Sequence, residues 1–202
     1  MNNTSFLGKR IEGRLLLCMC LLFMFLVGCG ENSIQEGTNF IFEKEGGVTV
    51  TIVTDFPADY YDIDEFNAMN ESEVASYNAS HGADSVQIVS SQTDGEKITL
   101  TMQYADLKDY CELNNKKMFV GTGAAAVSEG YDIAGAYVKA SGDDMIELTE
   151  EELLDYHVVI SNDPVIIHTY KKIVYCSEHV TVSDNKKMAT ISGDEPAIIV
   201  FK

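Results

Sequence analysis

Hydrophobic positions fall into three patterns along the chain. Residues Leu15–Leu26 (LLLCMCLLFMFL) form an unbroken apolar run of twelve residues. Alternation takes over further on, where Val48, Val50 and Ile52 are separated by Thr49 and Thr51, the period-two signature of a strand with one buried face. Phe40–Phe42 precede this strand across a Gly46-Gly47 turn. A clearer hairpin follows: Val86–Val89 and Ile98–Met102 flank Asp94-Gly95, a pair that accepts positive φ and matches the twist of paired strands. Between the hairpins the period becomes helical, with Ile63, Phe66, Met69 or Asn70, Val74 and Tyr77 on one stripe expected to face the sheet. Asp62 stands at the cap position and Glu65 three residues on, as a capping box requires.

The pattern then predicts a shorter helix at Ala105–Leu113, a strand at Met118–Val120 and a helix at Ala124–Glu129 closed by Gly130. Thr149 and Glu152 form a second capping box, and Glu150–Glu152 sit where the helix dipole favours negative charge. The last part of the chain turns to strand: Val165–His168, Lys172–Cys176, His179–Val182, Met188–Ile191 and Ala197–Phe201 are short and β-branched, divided by turns such as Asp184-Asn185 and Gly193-Asp194. Grouped strands with occasional helices argue for an α+β fold with a mainly antiparallel sheet, two or three short helices and a strand-rich C-terminal third. No linker composition interrupts residues 40–202, which read as one domain. Strands beyond about residue 160 either complete the first sheet or form a β-rich subdomain.

The apolar run at the start has another meaning. A bilayer span needs about 20 apolar residues as a helix, so twelve are too few, whereas they match a signal-peptide core. Lys9, Arg10 and Arg14 supply the positive start, and the run closes on Leu26-Val27-Gly28-Cys29. This resembles the lipobox of bacterial lipoproteins, a leucine three residues before a cysteine with small residues between. The resemblance implies that residues 1–28 are a signal peptide, that Cys29 is alkylated by a diacylglyceryl group, and that a peptidase cuts before it. Palmitate-class acyl chains would then hold the protein on the membrane at its extracytoplasmic face, since stable anchoring takes roughly two chains. Residues Gly30–Asn39 are polar and aperiodic, so 29–39 read as lipidated cysteine and flexible tether.

Cleavage changes the charge balance. The leader carries three of the 14 basic residues and one of the 32 acidic ones, leaving 11 against 31, a net charge of −20. Both arginines leave with it, which removes the side chain best suited to bidentate phosphate recognition. A strongly acidic, arginine-free domain repels nucleic acid, so nucleic acid is excluded as a partner. Cations, envelope polymers and cationic peptides or proteins remain compatible with its charge.

Several residue sets carry candidate chemistry. Gly121-Thr122-Gly123-Ala124-Ala125-Ala126 resembles a dinucleotide fingerprint, but the helix it opens is too short and the neighbouring strands are hairpins, so a glycine-bounded turn is the favoured account. His157, His168 and His179 recur every eleven residues, a spacing that matches no zinc-ligand pattern, and no metal is assigned to them. Asp55, Asp59, Asp62 and Asp64, with Asp143-Asp144 elsewhere, offer oxygen ligands for at most a weak, millimolar-range calcium site without an EF-hand loop. Ser128 lacks the nucleophile-elbow glycine, and Cys176 near His179 reads as a buried or paired thiol rather than a nucleophile. Two cysteines remain after lipidation, Cys111 and Cys176, and oxidation outside the cytoplasm permits a disulfide between them if helix and strand pack together.

Val48–Phe56, Tyr60-Tyr61-Asp62 and the closing Lys172–Ser177 and Ile199–Lys202 resemble, loosely, uncharacterised surface lipoproteins of Gram-positive anaerobes. That resemblance implies no activity. The sequence therefore favours a non-catalytic, membrane-anchored domain that binds a ligand or partner in the cell envelope, with no cofactor. The competing expectation is a secreted hydrolase or cell-wall-modifying enzyme whose site is assembled from residues distant in sequence.

Overall fold

Both hairpins form where alternation and turn residues place them. The computed structural model describes residues 34–202 apart from Ala58, Asp143 and Asp194, so the leader and Cys29 lie outside the described residues. Strands β1 (Gly37–Phe42) and β2 (Val48–Asp55) pair antiparallel, as do β3 (Val86–Thr93) and β4 (Lys97–Tyr104). Gly95 adopts φ +96°, and the Asp94 carboxylate accepts the Glu96 and Lys97 amides, which closes the second turn. Strand β1 starts at Gly37, and Asn39 is fully buried. Residues 37–39 thus belong to the sheet, although their polarity reads as tether.

Helix α1 (Ile63–His81) joins the two hairpins, and the Asp62 carboxylate caps it by accepting the Asp64 and Glu65 amides. The full reciprocal box forms elsewhere, at Asp106 with Asp109 for α2 (Leu107–Leu113) and at Thr149 with Glu152 for α4 (Glu150–Leu153). Between these come β5 (Met118–Thr122), α3 (Gly123–Ser128), β6 (Gly135–Lys139) and β7 (Met145–Leu148). The remainder is strand: β8 (His157–Ser161), β9 (Ile166–His168), β10 (Ile173–Cys176), β11 (Val180–Val182), β12 (Met188–Ile191) and β13 (Ala197–Phe201).

The fold is α+β, with two sheets and mostly antiparallel pairing; β1 and β9 are parallel. The first sheet runs β11-β12-β9-β1-β2-β4-β3 and the second β5-β8-β13-β10-β6-β7. The C-terminal strands form no subdomain of their own: β9, β11 and β12 extend the first sheet, while β10 and β13 enter the second. Ile34–Lys202 make one compact unit.

Side-chain parity explains the layers. Phe40, Val48, Val50, Leu100, Met102 and Ile167 of the first sheet share one apolar cluster with Val159, Ile173, Ile199 and Phe201 of the second. The opposite face of the second sheet carries Phe119, Tyr137, Val158, Ile160 and Val200, which pack with Ala126 of α3 and Leu153 of α4 in a separate cluster. Strands β8 and β13 are therefore apolar on both faces, which accounts for the unbroken Val158–Ile160 and Ala197–Phe201 runs. Helix α2 bridges β4 and β5, and its Tyr110 ring meets Phe40 edge-on at 4.8 Å. Helix α1 packs on β3 beside it.

Candidate functional site

Helix α1 is polar on most of its circumference. Only Tyr77 is buried; Phe66, Asn70 and Val74 are half-buried along the docked edge, so Asn70 rather than Met69 occupies the ambiguous position of the stripe. Met69 is instead 62% exposed. It lies on a row with Ser72, Glu73, Ser76 and Ser80 that forms one wall of an open groove of about 760 Å³, whose other wall is Glu112 and Leu113 of α2.

Polar side chains at one end of this groove are tightly linked. The Tyr77 hydroxyl donates to Asp109 at 3.0 Å and to Glu112 at 3.3 Å. Burial, and then the bond to the Asp109 carboxylate, hold the phenol proton well above the ordinary tyrosine range. His81 stacks on the Tyr77 ring with centroids 3.9 Å apart, and its Nε2 lies 3.3 Å from Glu112. Ser80 Oγ is 2.9 Å from His81 Nδ1, which makes a serine–histidine–carboxylate chain whose two ends, Ser80 and Glu112, line this groove.

Hydrogen-bond logic decides what that chain can do. His81 Nδ1 also lies 3.0 Å from the Tyr77 carbonyl oxygen, which can only accept, so Nδ1 carries a proton. A protonated Nδ1 cannot take the proton of Ser80, and the Ser80 hydroxyl itself donates to the Tyr77 carbonyl at 3.0 Å. The histidine thus bonds the Tyr77 carbonyl in the helix's last turn and ties that turn to Glu112 on α2. It organises an acidic wall rather than a nucleophile.

The other candidates lie apart. Gly123 and Ala124, which open α3, donate to the carbonyls of Tyr156 and Leu154, and Thr122 caps Ala125, so the chain itself occupies the amides a pyrophosphate would need. A Cβ on Gly123 would stand 2.1 Å from the Leu153 oxygen. The glycine there answers close packing of α4.

His157 belongs to the second sheet, clustered with the Tyr170 and Phe201 rings, whereas His168 belongs to the first, 3.2 Å from the Asn39 side-chain oxygen. His179 precedes β11, and among the described residues no three metal-ligating side chains converge. Asp62 is engaged in capping, Asp55 holds Lys97 at 2.8 Å, and Asp55 and Asp59 share a shallow recess with Glu96; Asp143 lies outside the described residues. Ser128 ends α3. Cys111 and Cys176 are free rather than bridged: the first thiol faces the Met118 carbonyl and the second that of Val180, each at 3.7 Å. Burial pushes the Cys176 thiol up to about 11, which makes it a poor nucleophile.

Sequence reasoning passed over Ser80, His81 and Glu112. A histidine in a helix's last turn, four residues after a tyrosine on the docked edge, was the available signal. Comparison with protein-family models, curated proteins and solved structures finds no match.

Proposed function

We propose that the chain is a membrane-anchored extracytoplasmic lipoprotein whose domain binds a partner in the cell envelope without catalysing a reaction. The observation that carries the reading is the succession of sequence features in the leader: basic start, twelve-residue apolar core, then Leu26-Val27-Gly28-Cys29. The start of the fold supports it. Gln35 is held to Asn39 by paired bonds, its amide donating to Oδ1 at 3.2 Å and its carbonyl accepting from Nδ2 at 2.7 Å. Glu36 pairs with Lys97 at 2.9 Å.

Four residues thus lie between Cys29 and Ile34, a span of at most roughly 18 Å fully extended. A domain on so short a leash works near the bilayer surface. Its net charge of −20 after cleavage repels anionic headgroups and keeps it off the lipid. The test is fractionation of cells carrying wild type and Cys29→Ala. The wild type should be found at mature size with membranes; the variant should remain as precursor or be released. Mature-sized Cys29→Ala protein in the membrane fraction would overturn the reading.

A further inference from the structure

We infer that the α1–α2 groove is the partner-binding surface and that it takes a cationic amphipathic helix of another protein; this deepens the binding role proposed above and rests on it. Three features converge there. Ser72, Ser76 and Ser80 are four residues apart, so α1 presents a row of small side chains along the groove. Such an i±4 row lets the ridge of a second helix approach to the usual 8–10 Å between axes. Met69 and Leu113 supply apolar contacts on the two walls, Met69 being a large side chain left in water on an otherwise polar face.

Charge selects the occupant. Glu73 has no ion-pair partner among the described residues, while His81 and Lys108 both engage Glu112 at 3.3 and 3.5 Å. Asp109 adds a carboxylate behind Tyr77. A second copy of this chain, itself strongly acidic, would bring like charge against that wall, so self-association through the groove is disfavoured. A lysine- or arginine-bearing helix with one apolar stripe complements both the carboxylates and Met69.

The test titrates the full-length chain in detergent with a fluorescently labelled peptide of leucine and lysine, about fifteen residues long and patterned as an amphipathic helix of roughly four turns. Wild type should bind. Glu73→Lys should weaken binding about tenfold, whereas Glu147→Lys, the same charge change at an exposed position of β7, should alter it less than about twofold. Met69→Asp adds negative charge but removes the apolar anchor, and it should weaken binding as well. An unchanged thermal midpoint in each variant shows that the fold is intact. Failure of wild type to bind, equal effects of the two charge reversals, or tighter binding by Met69→Asp overturns the inference. The same titration on Cys29→Ala protein separates the two proposals, because loss of anchoring changes fractionation and leaves peptide binding unchanged.

Discussion

The two helical covers of this molecule differ in how completely their surfaces are used. Over the second sheet, α3 and α4 are short, and their packing leaves no slack: Ala126 and Leu153 are fully buried, and the Leu153 carbonyl fills the space where a side chain on Gly123 would stand. The first amides of α3 are taken by carbonyls of the chain that leaves α4. Beside β3, the longer α1 docks along one edge through Phe66, Val74 and Tyr77 and leaves Met69 and its serines facing solvent. The first cover is consumed by folding. The second holds apolar and acidic surface that folding does not use, and surplus of that kind is what a binding function requires.

Substitutions should separate the two covers by size of effect. Gly123→Ala should rank among the most damaging, costing about 3 kcal/mol at the upper end of overpacking, because the new Cβ meets backbone rather than a movable side chain. Leu153→Ala should cost a comparable 2–5 kcal/mol, roughly, through the cavity it leaves. Both are read as falls in the urea midpoint at unchanged slope. Asp62→Ala, which uncaps α1, should cost about 1 kcal/mol. Ser76→Ala in the groove should stay within about 0.5 kcal/mol of wild type. A Ser76→Ala loss equal to that of Leu153→Ala would erase the distinction.

Acid should act through the histidines of the two sheets, His168 first. Burial lowers the affinity of His168 for a proton, and the unfolded chain, titrating near 6.5, then binds more protons than the fold. Stability contributed by the neutral ring is complete above about pH 6.5 and falls as pH drops below it. His157, lowered by burial and then by Lys171, adds in the same direction. Urea midpoints at about pH 7.5 and 5.5 should therefore differ less for His168→Gln than for wild type. An identical pH dependence in the two proteins would contradict this account of His168.

Much of this architecture was legible along the chain, for physical reasons that differ by element. The β3–β4 hairpin could be read because alternation and Asp94-Gly95 are both local. Helix α1 could be read from Asp62 and from period, though its polar remainder hid which of Met69 and Asn70 turned inward. Strands β6, β7 and β8 escaped. A run as short as Val158–Ile160 has no period of its own and is a strand because β5 and β13 pair with it on either side. Asn39 misled the domain start, because a buried amide satisfied by Gln35 and Thr51 carbonyls looks like any polar residue in a tether. The groove was invisible because Ser80 and Glu112 line a common surface only once α2 lies beside α1.

The account stands most directly on what the chain carries at Cys29. Mass spectrometry of the protein extracted from membranes of cells that express it, after proteolysis and recovery of the N-terminal fragment, reads that residue. The expected fragment begins at Cys29 and bears a thioether-linked diacylglyceryl group. A fragment that begins elsewhere, or an unmodified Cys29 thiol, would contradict the anchored-domain proposal.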